Sequence, residues 1–251
     1  MHLLKLELKR AFFSVKFILL LIVISLLLII PTINRLNKGD VYPATMILEA
    51  GYTGIIIIII PLLAAVPFAG TYAVERSSGL LPFILYRVKT THYLWAKFTA
   101  NVLASAAIIV IPVGIFFAIL LLNYGEGYGI GMSKYNITSV FQDMKVNNST
   151  LYGWFLVFQS GLFTMTYATV GMAASTIFRK PIFAYAAPFV LYVILTFLTT
   201  ILSKLWWAPG VTWDPTSNSY TTILSVYPQL AVILGTSVFI IWKNFGKGDH
   251  I

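Results

Sequence analysis

The chain of 251 residues has no cysteine and few charged side chains. Without cysteine it can hold neither a disulfide framework nor a thiolate metal site. Charged residues make up 10% of the chain and hydrophobic residues 59%, whereas a soluble domain is about 25% charged. Because so few charges cannot cover a surface that faces water, the composition excludes most soluble enzymes and any disordered or fibrous protein.

The motifs of catalysis and nucleotide binding are also missing. The histidines His2, His92 and His250 lie outside the apolar runs, so we expect no histidine-ligated metal site within a membrane. The chain contains no H-E-x-x-H, no G-x-S-x-G and no G-x-x-x-x-G-K-[ST]. No Asp, Glu or His lies in the middle of an apolar run, which argues against a proton relay. We therefore expect a chain that is not an enzyme and has no metal, cofactor or P-loop of its own.

What the chain does have is a series of long apolar runs. Each is about as long as a helix needs to be to cross roughly 30 Å of hydrocarbon. We predict an all-α, polytopic membrane protein with six transmembrane helices, forming a single domain over residues 1–251. The six predicted spans cover residues 15–30, 52–74, 98–122, 151–177, 181–202 and 223–242.

The lysines and arginines predict the orientation of these spans. Twelve of the 17 basic residues fall on the side of the predicted bundle that holds both termini, and five fall on the other side. Such an excess is typical of cytoplasmic loops. We therefore predict a multi-pass protein of the plasma membrane with both termini in the cytoplasm. The net charge of +9 then belongs to the cytoplasmic face and calls for no nucleic-acid partner.

The first fourteen residues have an amphipathic pattern. Apolar residues recur at helical spacing, and Lys5, Lys9 and Arg10 lie off that stripe. The pattern predicts an interfacial helix over residues 1–14 that lies along the inner leaflet and contacts membrane lipids. The alternative is a continuation of the first span into water. The apolar stripe consists of Leu4, Leu8, Ala11, Phe12 and Val15.

The segment between the second and third spans is the most informative one. Glu75 and Arg76 lie where a span ends, placed for charge-assisted bonds to something cytosolic. Ser78 is a possible helix cap, and Pro82 suits a first helical turn. The apolar residues 83–86 then predict a short helix on the watery side of the membrane, which must bury itself against lipid or a partner.

These residues resemble a motif in the permease subunits of type-2 ABC exporters. In that family a Glu-Arg pair ends the second span, and a glycine, a leucine-rich helix and a lysine at the start of the third span follow. Glu75, Arg76, Gly79 and Lys97 match in type and order. The family's Thr after the glycine is Leu80 here, and its frequent proline beyond the helix is absent. The resemblance in layout extends over nearly the whole chain.

The resemblance implies partners and a mechanism. The cytoplasmic helix would be a coupling helix seated in a separate ABC ATPase subunit, which would bind ATP and Mg²⁺. A second permease chain, identical or different, would complete a twelve-span pore that works by alternating access. The implied ATPase-coupling residues are Glu75, Arg76, Gly79, Leu80, Leu81, Phe83, Ile84, Tyr86 and Arg87.

The spans offer aromatic rings and hydroxyls but almost no charge, which suits a greasy or amphipathic substrate. The chain also resembles small permeases that export toxic amphipathic peptides, such as phenol-soluble modulins and bacteriocins; a lipophilic drug would fit as well. Export of a polysaccharide or lipid-linked glycan is an alternative, as is a membrane scaffold or intramembrane enzyme without an ATPase. The candidate residues of a translocation path are Phe68, Tyr72, Phe163, Tyr167, Tyr185, Phe189 and Tyr192.

A tryptophan-rich segment precedes the sixth span. Trp206, Trp207 and Trp213 fall within residues 204–220 on the predicted outer side. Because tryptophan favours the headgroup level, we expect this segment to dip into the outer interface.

Overall fold

The computed structural model describes residues 2–36, 42–126 and 140–246, and this part of the chain is all-helical, with no strand. The predicted all-α class is thereby confirmed. Three of the 17 basic residues, Lys38, Lys134 and Lys247, and the histidine His250 lie outside the described residues. The helices are α1 (His2–Phe12), α2 (Val15–Leu36), α3 (Ala44–Tyr52), α4 (Ile55–Ala65), α5 (Thr71–Ser77), α6 (Leu81–Arg87), α7 (Thr90–Tyr124), α8 (Gln142–Asn147), α9 (Ser149–Ile177), α10 (Pro181–Ile201), α11 (Pro209–Trp213) and α12 (Ile223–Gly246).

Four helices of the described chain are long and apolar enough to cross a membrane. They are α7, α10, Val15–Ile33 within α2 and Ile223–Phe245 within α12, and they lie where four of the six spans are predicted. Their length and composition indicate a membrane protein.

The second predicted span is not one helix. α3 and α4 meet at an angle of 66°, and only taken together do they form a further candidate span. Gly54 at the break has φ = +106°, a backbone conformation that glycine adopts without steric cost. The apolar stretch is interrupted again between α4 and α5. The prediction of a continuous span over residues 52–74 is therefore wrong, because hydropathy does not report where the backbone turns.

α9 is the central helix and occupies the place of the fourth predicted span. It is not among the four candidate spans, because hydroxyl and glycine residues lower its hydropathy. Twenty of its 29 residues are buried, and it packs against α4, α7, α10 and α12. A Cβ atom on Gly153 would come within 2.1 Å of the Phe117 ring, so a glycine is needed where α7 approaches α9.

α1 and α2 are separate helices. The Ser14 hydroxyl accepts a hydrogen bond of 3.2 Å from the backbone N–H of Phe17 and so caps the start of α2. α1 buries Ala11 and half-buries Leu8 and Phe12, whereas Lys5 is exposed. The predicted N-terminal helix therefore exists as a distinct helix, and its apolar stripe packs against the protein, mainly against α7.

Candidate functional site

A charge cluster lies buried where α1, α5 and α7 meet. Lys97 of α7, only 1% exposed, places its ammonium group 2.7 Å from Glu75 Oε1 and 3.0 Å from Glu7 Oε2. Arg10 on α1 lies at the edge of the cluster, 3.0 Å from Glu75 Oε1 and 3.2 Å from Glu7 Oε1. Two carboxylates thus face two cations, and this pairing is what makes buried charge tolerable. We call Glu7, Arg10, Glu75 and Lys97 the charge cluster.

The carboxylate of Glu75 is the centre of this cluster. Besides the two cations, it accepts a hydrogen bond of 2.5 Å from the hydroxyl of Tyr93, one turn before Lys97 on α7. Burial by itself raises the pKa of Glu75, but the Lys97 ammonium and the hydrogen bonds from Tyr93 and Arg10 together hold the pKa of that carboxyl below its usual range. Glu75 is therefore ionised at neutral pH and binds three helices together.

Arg76 points in a different direction from Glu75. Its guanidinium donates a hydrogen bond of 3.0 Å to the backbone carbonyl of Thr176, in the last turn of α9. The side-chain amide of Asn244 on α12 donates to the Thr176 hydroxyl at 2.9 Å. The Glu-Arg pair therefore joins α5 to α1, α7 and α9, and Thr176 in turn joins α9 to α12.

This placement differs from the expectation that Glu75 and Arg76 reach toward a cytosolic partner. Glu75 is buried and Arg76 is half-buried, and both are bonded within the chain. The physical reason is Lys97, because a buried ammonium needs carboxylates beside it. The two residues stabilise the platform from which the next segment projects.

A tight turn connects the charge cluster to α6. The backbone N–H of Leu80 donates to the carbonyl of Glu75 at 3.1 Å, and that of Gly79 donates to the carbonyl of Arg76 at 3.4 Å. With φ = +72° at Gly79, this is a Schellman motif. Ser78 lies at the C-terminal end of α5, so its predicted role as cap of the following helix is wrong; Leu80 occupies that position.

Replacing Gly79 by alanine is expected to destabilise the protein by about 1–2 kcal/mol, because a Cβ atom strains a left-handed backbone even where space is open. Thermal unfolding in detergent measures this change. Gly235→Ala is the matched control, since Gly235 also has open space around it but lies in a regular helix. Equal unfolding temperatures for Gly79→Ala and the unchanged protein would contradict the role of the turn.

α6 presents an apolar surface outward. Leu81 is buried, and Ile84 and Leu85 are half-buried against the cluster that contains Tyr72 and Tyr93. On the outer side Phe83 is 73% exposed and Tyr86 is 93% exposed. Leu80 and Arg87 are exposed as well. The short helix predicted here thus exists, with one side attached to the protein and two aromatic rings free of it.

The predicted path residues have different surroundings. Phe163, Tyr167 and Tyr192 pack together, with ring centroids 4.5–6.3 Å apart, and Phe68 belongs to the same apolar core. Phe68 faces Lys97, Tyr72 packs on Phe245, Tyr185 contacts Lys16, and Phe189 is half-buried on α10.

Trp213 completes the aromatic group and was not predicted to do so. It is fully buried and stacks on Tyr52 with ring centroids 4.3 Å apart. Its indole N–H donates to the carbonyl of Tyr52 at 3.0 Å, and the Tyr52 hydroxyl donates to the carbonyl of Trp213 at 3.0 Å. We call this pair the aromatic clasp. It holds α11 against the end of α3, where the helix pair α3–α4 bends.

The outer tryptophans therefore divide into two kinds. Trp206 and Trp207, in a short 3₁₀-helix, remain partly exposed, as expected for an interfacial segment. Trp213, on α11, is buried inside the protein instead. The expectation that the whole segment lies in the interface is wrong for Trp213, because the acceptor of its indole N–H and its stacking partner both belong to the protein.

Sequence reasoning also missed Glu7, Arg10 and Tyr93 as members of the site. A signal for Glu7 was present, since it is the only acid in α1 and lies between Leu4 and Leu8 near the apolar side of that helix. In the described part of the chain, no three His, Cys, Asp or Glu side chains come together in a way that could hold a metal ion.

Comparison with known proteins adds no relative. No family model matches the chain, and no curated protein and no solved structure matches it significantly.

Proposed function

We propose that this chain is the transmembrane permease subunit of an ATP-driven exporter of the type-2 ABC class, and that a separate ATPase subunit docks on α6. The observation that carries the proposal is an apolar helix with two exposed aromatic rings, fixed to a buried charge cluster. Exposed aromatic side chains beside an arginine are typical of the residues that contribute most to binding at protein interfaces. The chain would transmit motion, and the partner would hydrolyse ATP.

The connections of α6 suit a mechanical role. At its start, the Gly79 turn attaches it to Glu75, and Glu75 binds Lys97 on α7 and Arg10 on α1. At its end, only Val88 and Lys89 separate it from α7, a helix of 35 residues that is long enough to cross a membrane. A displacement of α6 by a partner would therefore pass to α7 through the chain and through the charge cluster. α5, α1 and α9 would follow through Glu75 and Arg76.

An apolar groove supports the choice of a hydrophobic or amphipathic substrate. The groove lies between α2 and α7 at Pro112, is open to the surface, and has a cavity volume of about 240 Å³. Its one polar side chain, Ser25, donates its hydroxyl hydrogen to a carbonyl of its own helix. The side chains that line the groove thus offer a sugar no free hydrogen-bond donor. It is lined by Leu21, Ser25, Ile29, Ile111, Pro112, Ile115, Phe116 and Ile119.

Both termini would lie in the cytoplasm of a plasma-membrane protein, as the distribution of lysine and arginine predicts. The pore would need a second permease chain, identical or different, because the described part of one chain offers four candidate spans, or five with the bent pair. α6 of each chain would then face one ATPase subunit on the cytoplasmic side.

The docking of the ATPase is tested by placing two carboxylates on the exposed surface of α6. The double variant Phe83→Asp/Tyr86→Asp is expected to recover at most about a tenth of the P-loop ATPase that co-purifies with the unchanged chain from native membranes, because a lost interface hot spot costs about 2 kcal/mol or more. Tyr220→Asp is the matched control, since Tyr220 is 75% exposed but lies far along the chain from α6. Undiminished recovery in the double variant would overturn the proposal, and a preparation without any nucleotide-binding subunit would favour a membrane scaffold.

The substrate class is tested with the recovered complex in proteoliposomes. An amphipathic helical peptide is expected to stimulate ATP hydrolysis, and a glycolipid is not. The Phe83→Asp/Tyr86→Asp complex, at equal permease content, gives the baseline. Stimulation by the glycolipid alone would favour glycan export instead.

A Glu75→Ala/Arg76→Ala variant is a less suitable test of coupling than substitutions on α6. Since Glu75 is buried against Lys97 and Arg76 holds the end of α9, the structure indicates that the double substitution would disturb folding first.

A further inference from the structure

A cleft between α7 and α12 has an unusual combination of features. It is lined by Leu94, Trp95 and Phe98 of α7 and by Val238, Ile241 and Trp242 of α12, and it is open to the surface. Every lining side chain is apolar or aromatic. Trp95 is 56% exposed and Trp242 is 42% exposed, and their rings meet edge to face with centroids 5.9 Å apart. The cleft is thus an exposed apolar slot with two indole rings at its mouth.

The two indole groups have unused hydrogen-bond donors. Indole N–H can only donate. Among the described residues neither Trp95 nor Trp242 makes a hydrogen bond, whereas the indole of Trp213 is fully bonded to Tyr52. A molecule that occupies the cleft therefore gains most if it offers hydrogen-bond acceptors beside an apolar body.

Exposed cationic side chains lie near the start of α7 and the end of α12, the two helix ends that form the cleft. Lys243 follows Trp242 directly and is exposed, with its ammonium group 5.9 Å from the centroid of the Phe239 ring. Lys89 is exposed directly before α7, and His92 is exposed one turn before Trp95 on that helix. The start of α7 and the end of α12 lie side by side, because the rings of Tyr93 and Phe245 are 6.3 Å apart. No acidic residue occurs in residues 88–100 or 238–246.

We propose that this cleft binds an anionic phospholipid of the leaflet in which α7 begins and α12 ends. An acyl chain would lie along the apolar slot, and the phosphate would accept hydrogen bonds from the indoles and lie near Lys243 and Lys89. The apolar slot comes from α7 and α12, and exposed cations lie at the corresponding ends of these helices, with Lys89 just before α7 and Lys243 directly after Trp242. The site depends on the protein being in a bilayer and not on its being an exporter, so its test can fail or succeed independently of the ATPase experiment.

The test uses the full chain in nanodiscs and the quenching of tryptophan fluorescence by brominated phospholipids. The probes are brominated phosphatidylglycerol and brominated phosphatidylcholine at equal mole fractions. The signal from the cleft is the quenching of the unchanged chain minus that of the Trp95→Phe/Trp242→Phe variant. We expect half of the maximal cleft signal at a lower mole fraction of phosphatidylglycerol than of phosphatidylcholine. The expected difference is about fivefold for each cation that contacts the headgroup, since one lysine near an anionic headgroup contributes about 1 kcal/mol.

The lysine variants decide whether the charges act as proposed. Lys243→Gln and Lys89→Gln are each expected to reduce the preference for phosphatidylglycerol several-fold. Lys204→Gln is the matched control, because Lys204 is exposed beside Trp206 and Trp207 but far from the cleft. Equal quenching by both lipids, or a preference that both variants retain, overturns the proposal. A cleft signal that depends on the number of chains per nanodisc and not on the lipid also overturns the proposal. It would indicate that a second copy of the chain covers the cleft.

Discussion

Replacing Lys97 by methionine is expected to destabilise the protein by about 3–5 kcal/mol, the cost of removing one partner from a buried ion pair. Methionine fills a similar volume, so the loss is mainly electrostatic. Glu75 and Glu7 would keep their buried negative charges with only Arg10 opposite them, and the side chain of Arg10 is 58% exposed. Like charges this close would drive α1 away from α5 and α7. Thermal unfolding in detergent, followed by size-exclusion profiles, measures the effect.

Two further variants separate the charge from the rest of the side chain. Lys89→Met changes an exposed lysine near the start of the same helix and is expected to alter stability by less than about 0.5 kcal/mol. The triple variant Lys97→Met/Glu75→Gln/Glu7→Gln removes the stranded charges and is expected to recover part of the lost stability, because neutral groups cost less to bury than unpaired charges. If Lys97→Met alone unfolds at the same temperature as the unchanged protein, the charge cluster does not hold the three helices together.

Trp213→Ala is the second substitution with a large expected effect, also about 3–5 kcal/mol. The substitution empties a fully buried site and removes the stacking on Tyr52. It also removes the indole donor to the carbonyl of Tyr52, which then lies unpaired at the bend between α3 and α4. We expect both a lower unfolding temperature and faster proteolysis within residues 203–222, since α11 would no longer be held inside the protein.

Neighbouring tryptophans provide the control for this prediction. Trp206→Ala and Trp207→Ala alter partly exposed side chains in the same segment and are expected to change stability by about 1 kcal/mol or less. Trp213→Phe keeps an aromatic ring but loses the N–H donor, so its loss of stability should be intermediate. A Trp213→Ala protein as stable as the Trp206→Ala protein would show that the aromatic clasp contributes nothing to the fold.

The charge cluster and the aromatic clasp act at different parts of the molecule. The cluster joins α1, α5 and α7 beside α6, and the clasp joins α3 and α11 at the bend of the helix pair. α9 contacts both regions, through Thr176 with Arg76 and through Leu156, whose carbonyl accepts a bond of 3.3 Å from the hydroxyl of Tyr52. An effect of α6 on the clasp could therefore pass along α9 or along α7, which carries Lys97 and also packs against α3.

Composition and local pattern were enough to predict the helical class, the distinct N-terminal helix and the short helix after Gly79. These features depend on neighbours within a few residues: apolar spacing predicts α1, and Pro82 followed by an apolar run predicts α6. The order of residues in the motif was enough to name Lys97, but it did not predict that Lys97 is buried. Glu7 could not be assigned to the site, because its partner lies 90 residues away in the chain.

The sequence by itself determined that this protein is helical and apolar and that two aromatic residues follow a glycine-containing turn, since hydropathy and backbone preference are properties of adjacent residues. Only the tertiary structure decided which charges pair, that the second apolar stretch is bent, and that Trp213 lies inside while Trp206 does not. The reason is that the cost of burying a charge or an indole is set by the groups that surround it, and those groups come from helices distant in the chain.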